Sequence, residues 1–480
     1  MTSTTENESV NMLDTIAAVS TPRGKGGVAL IRISGPDALG IGEKIFKPRF
    51  SQKLGDHPRY SVFGDIVMPE DTGSYRAGDV IDDGLAVFFK GPGSFTGDDT
   101  VEICCHGGVL VTRTVLQAAL CAGARQAERG EYTRRAFAAG KMGLSEAESL
   151  GMLLEAGTES QLRLSRSGMS GRLSAACSDL REQLTVLITD IYARVDFPEE
   201  DLGSIPTDEV RERLAALSRR SSELSETYRT GRAVAEGIST VICGRTNAGK
   251  STLYNRLVGS DDAIVTDVEG TTRDILTATV SFGGATLRLY DTAGIRDAAA
   301  DEVEAIGIER AKEKVASAEL VLFLVDGTRK PEDDDEKLAE SLRDHPGHVI
   351  ALLTKADRNV SDPEAVALWE RFPEREKISA STGEGMDGLA GRIGELYIDG
   401  ELDLGRDPVI SNARQYEALR KTGAALDEAI SAMDAGFPPD VAGVCLEMAA
   451  DALSELDGRG HGAVSADVID GIFSKFCVGK

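Results

Sequence analysis

Apolar residues near the N-terminus occur in short runs that predict β-strands. The runs GVALIRIS, GLAVFFK and TVEICCH are bounded by Gly, Pro and Asp turns. The longer run GVLVTRTVLQAALCAGA predicts a helix that packs against these strands. Up to about residue 141, the pattern therefore indicates a mixed α+β domain.

From about residue 144 to residue 236, the apolar spacing becomes helical. The segment LREQLTVLITDIYARVDF is typical, and Pro198 ends the run. Its apolar residues at helical spacing are Leu180, Leu184, Leu187, Ile188, Ile191 and Val195.

Strand and helix patterns then alternate from about residue 238 to residue 398. The strand runs are TVICG, ATLRLYDTAG, LVLFLVDG and HVIALLTKAD, and this alternation predicts a doubly wound α/β domain. Within it we expect the acidic run PEDDDEK (331–337) to be a solvated loop. Helical spacing returns from about residue 408.

Two organisations fit the order helix, α/β, helix. The α/β unit is either inserted into one helical domain or lies between two separate helical domains. The last segment has only about 70 residues, which is short for an independent core, so insertion is favoured. We predict a multidomain chain: an α+β domain over 1–142, a helical domain in two parts (143–236 and 400–480), and an inserted Ras-like α/β domain over 237–399.

The formal net charge of −26 argues against diffuse binding to nucleic acid. Residues 1–142 hold 16 Lys and Arg against 17 Asp and Glu, so they carry −1 and the remaining −25 lies downstream. An RNA contact would therefore need local arginine clusters.

The seven cysteines are scattered and include no CxxC pair, so a disulfide framework or a zinc ribbon is not expected. Cys104, Cys105 and His106 are adjacent, but neighbouring side chains of a strand point to opposite faces and chelate poorly. The N-terminus lacks a signal-peptide pattern, and no apolar run reaches about 18 residues. We expect a cytoplasmic protein with no membrane partner.

The stretch GRTNAGKS, Gly244 to Ser251, fits the phosphate-loop pattern GxxxxGK[ST] between a strand and a helix. Its backbone N–H groups and the helix N-terminus would face the phosphates. Lys250 would reach the β- and γ-phosphates, and the Ser251 hydroxyl would bind Mg²⁺.

Three further elements follow in the order found in GTPases. Thr271 or Thr272, in GTTRD, can complete the Mg²⁺ shell. Asp291, in DTAG, is the distal Mg²⁺ carboxylate, and the Gly294 N–H can sense the γ-phosphate.

The third element, TKAD (354–357), ends a strand. Asp357 can accept two hydrogen bonds from guanine that adenine cannot donate, and SAS (379–381) offers an N–H to the guanine O6. Thr354 stands where Asn is usual, and we expect little loss of specificity.

The predicted GTP-binding residues, of which Ser251 and Thr272 would hold Mg²⁺, are Asn247, Ala248, Gly249, Lys250, Ser251, Thr252, Thr266, Asp267, Val268, Glu269, Gly270, Thr271, Thr272, Asp291, Thr292, Ala293, Gly294, Thr354, Lys355, Asp357, Ser379, Ala380 and Ser381.

Ile295 follows DTAG, where Ras-like enzymes have the Gln that orients the attacking water. Hydrolysis then needs another water-orienting group and another positive charge. Glu302, Glu304 and Glu309 lie just downstream, although an exposed acidic helix start would give the same residues.

With these motifs the chain resembles the MnmE (TrmE) family of tRNA-modification GTPases over essentially its whole length. The matching stretches include DTIAAVSTPRGKGGVALIRISG (14–35), SFTGDDTVEICCHGG (94–108), GEYTRRAFAAGKMGLSEAESL (130–150), RVDFPEED (194–201), AIVTDVEGTTRD (263–274), EVEAIGIERA (302–311) and IFSKFCVGK (472–480).

The resemblance implies a function for each domain. The N-terminal domain would bind a tetrahydrofolate, as a methylene or formyl form, and would make the protein a homodimer. The G domain would hydrolyse GTP in a K⁺-dependent way. With MnmG, a partner that uses flavin and NADH, the protein would add an aminomethyl or carboxymethylaminomethyl group to C5 of the wobble uridine of certain tRNAs.

The resemblance also assigns residues. Asn247 and the 266–271 loop, through Thr266, Val268 and Thr271, would hold K⁺. Glu304 matches the catalytic glutamate. Arg32, Glu102, Lys141 and Lys480 match folate-binding positions, and without the resemblance each would be interpreted as an ordinary surface charge.

The C-terminal FCVGK has the format of a prenylation box, but no polybasic run precedes it and Lys480 suits a prenyltransferase poorly. A docked helix is favoured instead, with Ile469, Ile472, Phe473 and Phe476 on one face. Cys477 would then serve the modification chemistry. The rival interpretation of the whole chain is a GTP-gated regulatory or ribosome-assembly switch, which leaves the N-terminal domain and FCVGK unexplained.

Overall fold

The structure is a computed structural model that describes residues 14–22, 24–50, 53–197, 205–259, 263–264, 276–290, 313–358, 362–458 and 465–480. The chain forms two compact units. The first contains Met1–Gly151 together with Ala463–Lys480, and the second contains Met152–Gly462.

The first unit is built on a mixed sheet with the strand order β3-β4-β5-β6-β2-β1-β7 among the described residues. Its strands are β1 (Ile16–Val19), β2 (Val28–Ser34), β3 (Phe46–Pro48), β4 (Ser61–Val67), β5 (Val80–Phe89), β6 (Thr100–His106) and β7 (Arg125–Gln126). Its helices are α1 (Ala38–Ile45), α2 (Val109–Cys121), α3 (Glu131–Ala138) and α4 (Leu144–Glu155), the last of which runs past the unit boundary.

The alternation of apolar residues in β2 sets the two faces of this sheet. Ile31 and Ile33 are buried in a core that also holds Ile41 of α1 and Val115 of α2. Because successive side chains of a strand alternate, Arg32 lies on the opposite face. The β2–β6 register places Arg32 directly across from Glu102 on that face.

The second unit contains a sheet with the strand order β14-β13-β12-β8-β11-β10-β9 among the described residues. Its strands are β8 (Ile238–Gly244), β9 (Ala263–Ile264), β10 (Leu276–Phe282), β11 (Ala285–Tyr290), β12 (Leu320–Asp326), β13 (His348–Thr354) and β14 (Arg375–Lys377). Neighbours from β14 to β11 are parallel, and β10 pairs antiparallel with β11 and β9.

The helices of the second unit are α5 (Glu159–Met169), α6 (Arg172–Asp196), α7 (Thr207–Glu226), α8 (Tyr228–Ala235), α9 (Lys250–Val258), α10 (Asp333–Leu342), α11 (Pro363–Trp369), α12 (Met386–Tyr397), α13 (Ala413–Asp434) and α14 (Pro439–Asp457). In β12, Leu322 belongs to one core and its neighbour Phe323 to another, so both faces of this strand are buried. That burial explains its unbroken apolar run.

Helices that precede the α/β sheet in the sequence share one hydrophobic core with helices that follow it. Leu184 of α6 and Leu214 of α7 precede the sheet, and Leu419 of α13 and Leu446 of α14 follow it. All four side chains are fully buried in the same cluster. This packing is what an α/β unit inserted into one helical domain would require.

The acidic run PEDDDEK is not the loop that we expected. Helix α10 begins inside it at Asp333, and a capping box joins Glu332 to Asp335. Acidic side chains stabilise the first turn of a helix because they complement the positive end of its dipole. The run is therefore a helix start.

The chain returns to the first unit through helix α15 (Ala466–Phe473). Phe473 and Phe476 are buried with Leu144 and Ala147, and Ile469 and Ile472 pack on the same cluster. The helix that the spacing predicts is thus confirmed. Among the described residues, no helix is long and apolar enough to cross a membrane.

Candidate functional site

The predicted phosphate loop lies between the end of β8 and the start of α9. The backbone of Asn247 has φ 65° and that of Gly249 has φ 102°, both in the left-handed region. A Cβ on Gly244 would lie 2.6 Å from the carbonyl oxygen of Leu324, so only glycine fits there. Such turns direct successive N–H groups into one concavity that suits an anion.

Lys250 is the first residue of α9 and lies over this loop. Its Nζ donates hydrogen bonds to the carbonyl oxygens of Gly244 and Arg245, both at 2.9 Å. Ser251 and Thr252 follow on the exposed first turn of the helix, and Ala248 is buried beneath the loop. The ammonium and the Ser251 hydroxyl are therefore at the helix N-terminus, where phosphates bind.

Thr354 joins the base-recognition loop to the phosphate loop. Its buried hydroxyl donates to the carbonyl oxygen of Ala248 at 2.8 Å and also approaches the carbonyl oxygen of Val325 at 3.2 Å. A threonine at this position therefore still links the two loops by hydrogen bonding.

Asp357 is exposed in a short 3₁₀ helix (Ala356–Arg358) at the end of β13. The N–H of Ala356 donates to the carbonyl oxygen of Ile378 at 3.2 Å, which brings the 379–381 loop alongside. In that loop the hydroxyls of Ser379 and Ser381 lie 2.9 Å apart, with Ala380 between them. The two predicted base-recognition loops are thus adjacent.

Sequence reasoning missed Asp326, which ends β12 beside this site. Its carboxylate accepts from Lys355 Nζ at 2.6 Å and from the Thr328 hydroxyl at 2.7 Å. Burial alone would raise the pKa of Asp326, but the hydrogen bonds from Lys355 and Thr328 outweigh it and the pKa is lowered. An aspartate directly after a buried parallel strand was the available signal.

Arg329 was also missed. Its guanidinium pairs with Asp326 at 3.1 Å and donates to the carbonyl oxygen of Thr246 in the phosphate loop at 2.8 Å. Arg329 and Lys355 both pair with Asp326, so this aspartate connects the base-recognition loop to the phosphate loop.

Several predicted residues lie outside the described part of the chain. They are Thr266, Asp267, Val268, Glu269, Gly270, Thr271, Thr272, Asp291, Thr292, Ala293, Gly294, Ile295, Glu302, Glu304 and Glu309.

A second cluster lies on the face of the first unit's sheet that carries Arg32 and Glu102. Arg32 Nε donates to Glu102 Oε1 at 2.8 Å, and the Arg32 guanidinium lies over the rings of Phe95 and Tyr132 at 5.7 and 5.6 Å. The Tyr132 hydroxyl donates to the carbonyl oxygen of Arg32 at 2.7 Å.

Lys480 lies within electrostatic reach of this pair. Burial lowers the pKa of Lys480, and the positive charge of Arg32 lowers it further, whereas Glu102 and Cys477 act in the opposite direction. Cys477 itself is exposed. Lys480 is therefore near the Arg32–Glu102 pair, and these are three of the four residues assigned to folate.

Lys141, the fourth of these residues, is exposed and donates to the carbonyl oxygen of Pro92. Pro92 belongs to the same loop as Phe95, which sequence reasoning did not single out. Phe95 could not be identified from the sequence, because the register of β2 and β6 is needed to show that its exposed ring lies next to an arginine–carboxylate pair.

The Cys104–Cys105–His106 run does not form a cysteine cluster. His106 Nδ1 lies 2.8 Å from Asp82 Oδ1, and its backbone N–H donates to the other oxygen of Asp82. The hydrogen bond that the ring donates to the Asp82 carboxylate raises the pKa of His106. Asp83 completes a group of three potential metal ligands there, but it also pairs with Arg49 at 3.4 Å.

The phosphate loop and its two base-recognition loops on a mostly parallel sheet have the architecture of a P-loop nucleotide-binding domain. Protein-family models identify the surrounding chain: the MnmE helical domain model matches residues 144–477, and the model of the GTP-binding protein TrmE N-terminus matches residues 15–141. The chain therefore belongs to the MnmE family of tRNA modification GTPases.

Curated relatives match over nearly their whole length. A tRNA modification GTPase MnmE of Moorella thermoacetica is 39% identical over 477 residues, which cover 97% of this chain and 99% of that protein. The protein of the same name from Heliobacterium modesticaldum is 38% identical, with the same coverage of both chains. That of Thermotoga maritima is 37% identical, covering 98% of this chain and 100% of that protein.

Solved structures overlap with a smaller part of the chain. Aquifex aeolicus Era bound to GDP and AlF₄⁻ is 25% identical with a TM-score of 0.27, covering 39% of this chain and 65% of that chain. The G domain of the Thermotoga maritima FeoB iron transporter is 24% identical with a TM-score of 0.23, covering 33% of this chain and 96% of that one. Scores this low carry no argument about function.

Proposed function

We propose that the protein is a GTP hydrolase that acts with MnmG to modify C5 of the wobble uridine of certain tRNAs, using a one-carbon unit from a reduced folate. The observation that carries this proposal is the presence of two chemically different sites in one chain. A linked phosphate and base-recognition site lies in one unit, and an arginine–carboxylate–lysine cluster lies in the other.

The described residues fit GTP. The phosphate-loop N–H groups and Lys250 would hold the phosphates, and the exposed Asp357 carboxylate would accept from the guanine edge. The exposed hydroxyl of Ser251, with Thr272, would hold Mg²⁺, which neutralises charge on the phosphate oxygens.

The potassium part of the proposal is supported by Asn247 in the same loop. Asn247 is exposed and its backbone is fixed at positive φ, so its amide oxygen is available to a cation beside the phosphates. K⁺ held by Asn247, Thr266, Val268 and Thr271 would supply the positive charge that an arginine finger supplies elsewhere. Glu304 would orient the attacking water, because Ile295 cannot.

The first unit fits a folate by its donor set. Glu102 would present a carboxylate to the amino edge of a pterin, Phe95 offers a partly exposed ring, and Arg32, Lys141 and Lys480 would supply positive charge to an anionic folate. A bound folate would supply the one-carbon unit, and Cys477, three residues before Lys480, would take part in the modification chemistry. By family resemblance, this domain also forms the homodimer.

The hydrolysis half of the proposal is tested on purified protein. GTP turnover should require K⁺ and be weak in Na⁺ at equal ionic strength. Glu304→Ala should bind GTP normally and hydrolyse it about 10²–10³-fold more slowly, because water positioning acts in the transition state. Glu302→Ala is the matched control, and a larger defect in that variant would overturn the Glu304 assignment.

The modification half is tested by reconstitution. Unmodified tRNA is incubated with this protein, MnmG, GTP, K⁺ and a reduced folate, and its nucleosides are measured by mass spectrometry. We expect a wobble-uridine product with the wild-type chain and none with Cys477→Ser, which should still hydrolyse GTP. Full modification by Cys477→Ser would leave that thiol with a packing role only.

A further inference from the structure

The chain's last residues belong to the first unit and pack within it through turns and one β-bridge residue, Val478; we call this segment the C-terminal arm (474–480). Helix α15 anchors it, since Phe473 and the arm residue Phe476 are buried against Leu144 and Ala147. Arg134 also pairs with Asp470 of this helix at 2.9 Å. The arm therefore starts from a fixed position on the surface of the first unit.

Beyond Phe476, the domain binds the arm through the arm's own backbone. Arg129 Nε donates to the carbonyl oxygen of Phe476 at 3.2 Å, and the Gly130 N–H donates to that of Cys477 at 3.5 Å. Val478 forms a β-bridge with Arg129, and the Ser20 hydroxyl donates to the carbonyl oxygen of Gly479 at 3.0 Å. The Cys477 side chain stays exposed, whereas Lys480 is half-buried.

Two glycines make this approach possible, one on each side of the interface. Gly130 has φ 66°, and a Cβ there would overlap the carbonyl oxygen of Phe473. Gly479 has φ 102°, and a Cβ there would overlap the carbonyl oxygen of Val19. Both obstacles are backbone atoms that cannot rotate away, and both φ values disfavour any L side chain.

The docked arm also supports the Arg32–Glu102 cluster. The Val478 side chain packs against the cluster formed by Ile16, Ala18, Ala127 and Tyr132. Tyr132 in turn donates to the Arg32 carbonyl oxygen and lies under its guanidinium. The position of the arm is thus connected through one buried tyrosine to the predicted ligand site.

We propose that Gly130 and Gly479 are positioning residues that form a two-sided latch. They hold the C-terminal arm in the register that carries Lys480 to the Arg32–Glu102 pair. The latch deepens the proposed function and rests on it for the identity of the ligand, a reduced folate. The docking itself depends only on the contacts above.

Helix α15, which leads into the arm, contains the control. Gly471, in helix α15, has open space around its Cβ position and is not among the positive-φ residues. Gly471→Ala therefore adds the same methyl group to the same segment without blocking an approach, and should behave as wild type. Deletion of residues 477–480 gives the reference value for a chain that lacks the part of the arm beyond Phe476.

The test measures docking and ligand binding separately on the full chain. Hydrogen exchange, followed by mass spectrometry on peptides that cover 124–137 and 465–480, reports docking without any ligand. Calorimetry with 5-formyltetrahydrofolate reports the site. We expect Gly479→Ala to lose the protection of both peptides and to weaken folate binding about tenfold or more, close to the deletion variant.

Gly130→Ala, on the other side of the interface, should likewise lose the protection of both peptides and weaken folate binding. Thermal melting shows whether this variant is folded. Gly479 is the penultimate residue, so Gly479→Ala decides the question even if Gly130→Ala does not fold. Full protection in Gly479→Ala would overturn the latch. Lost protection with unchanged folate affinity would overturn its role in positioning Lys480. A wild-type chain that binds no folate would refute the proposed ligand. In that case hydrogen exchange would still show whether the two glycines hold the arm in place.

Discussion

Thr354 is the residue at which this chain departs from the usual guanine-recognition sequence, and its hydroxyl bridges two loops of the nucleotide site. Thr354→Val would leave the buried carbonyl oxygen of Ala248 without this donor, at a cost of about 1–3 kcal/mol. We expect GTP affinity to fall by roughly tenfold or more in a nucleotide-binding titration.

Thr240→Val is the matched control for Thr354→Val. Thr240 is equally buried, but its hydroxyl donates only locally to the carbonyl oxygen of Ile238 at 3.0 Å. If both variants weakened GTP binding equally, the loss would reflect general destabilisation of the sheet and not the link between the loops.

His106 and Asp82 form a pH-sensitive pair on the first unit. The Asp82 hydrogen bond raises the pKa of His106, so the protonated ring is favoured in the folded state. The stability that the pair contributes is complete below the unfolded-state pKa of about 6.5 and is lost as the pH rises through the folded-state pKa. Asp82→Asn should lower the pKa of His106, measured by an NMR titration of its ring.

Asp83→Asn is the control for that titration, because Asp83 contributes only the smallest of the causes that raise the pKa of His106. It should shift the titration less than Asp82→Asn. A wild-type His106 that titrates at or below the ordinary histidine value would contradict the pairing.

At the scale of elements, the shared helical core yields the sharpest prediction. Leu184 in α6 and Leu446 in α14 are fully buried in one cluster, although the whole α/β sheet separates them in sequence. Leu184→Ala and Leu446→Ala should each cost about 2–5 kcal/mol and lower the same unfolding transition. Denaturant unfolding followed by circular dichroism measures both.

Val186→Ala and Met448→Ala are the matched controls, since these side chains on the same two helices are 49% and 57% exposed. They should change stability little. Two separate transitions, each sensitive to only one of the leucine variants, would show two helical domains instead of one domain with an insertion.

The elements also show what the sequence could and could not predict. Local patterns were sufficient for the strand–loop–helix at Lys250 and for helix α15, because each depends on residues close in sequence. The acidic run at Asp333 was misjudged because charge was weighed without helix capping. The loop contacts of Asp326 and the hydrogen bond from Gly130 to Cys477 were not predicted, because both join residues that are far apart in the sequence.

At the scale of the whole molecule, the two units carry different chemistry on one chain. The nucleotide residues belong to the second unit, whereas Arg32, Glu102 and the C-terminal arm belong to the first. The chain leaves the first unit and returns to it only for its final residues. If the proposed function holds, substitutions in the first unit such as Cys477→Ser should therefore abolish modification while GTP hydrolysis continues.

The most direct test of the proposed function is the nucleoside composition of tRNA from a strain that lacks this gene. We predict that the modified wobble uridine disappears, that the wild-type gene restores it, and that Lys250→Ala does not, because phosphate binding is lost. Wobble uridines that are unchanged in the deletion strain would contradict the central claim and favour a GTP-gated switch without modification chemistry.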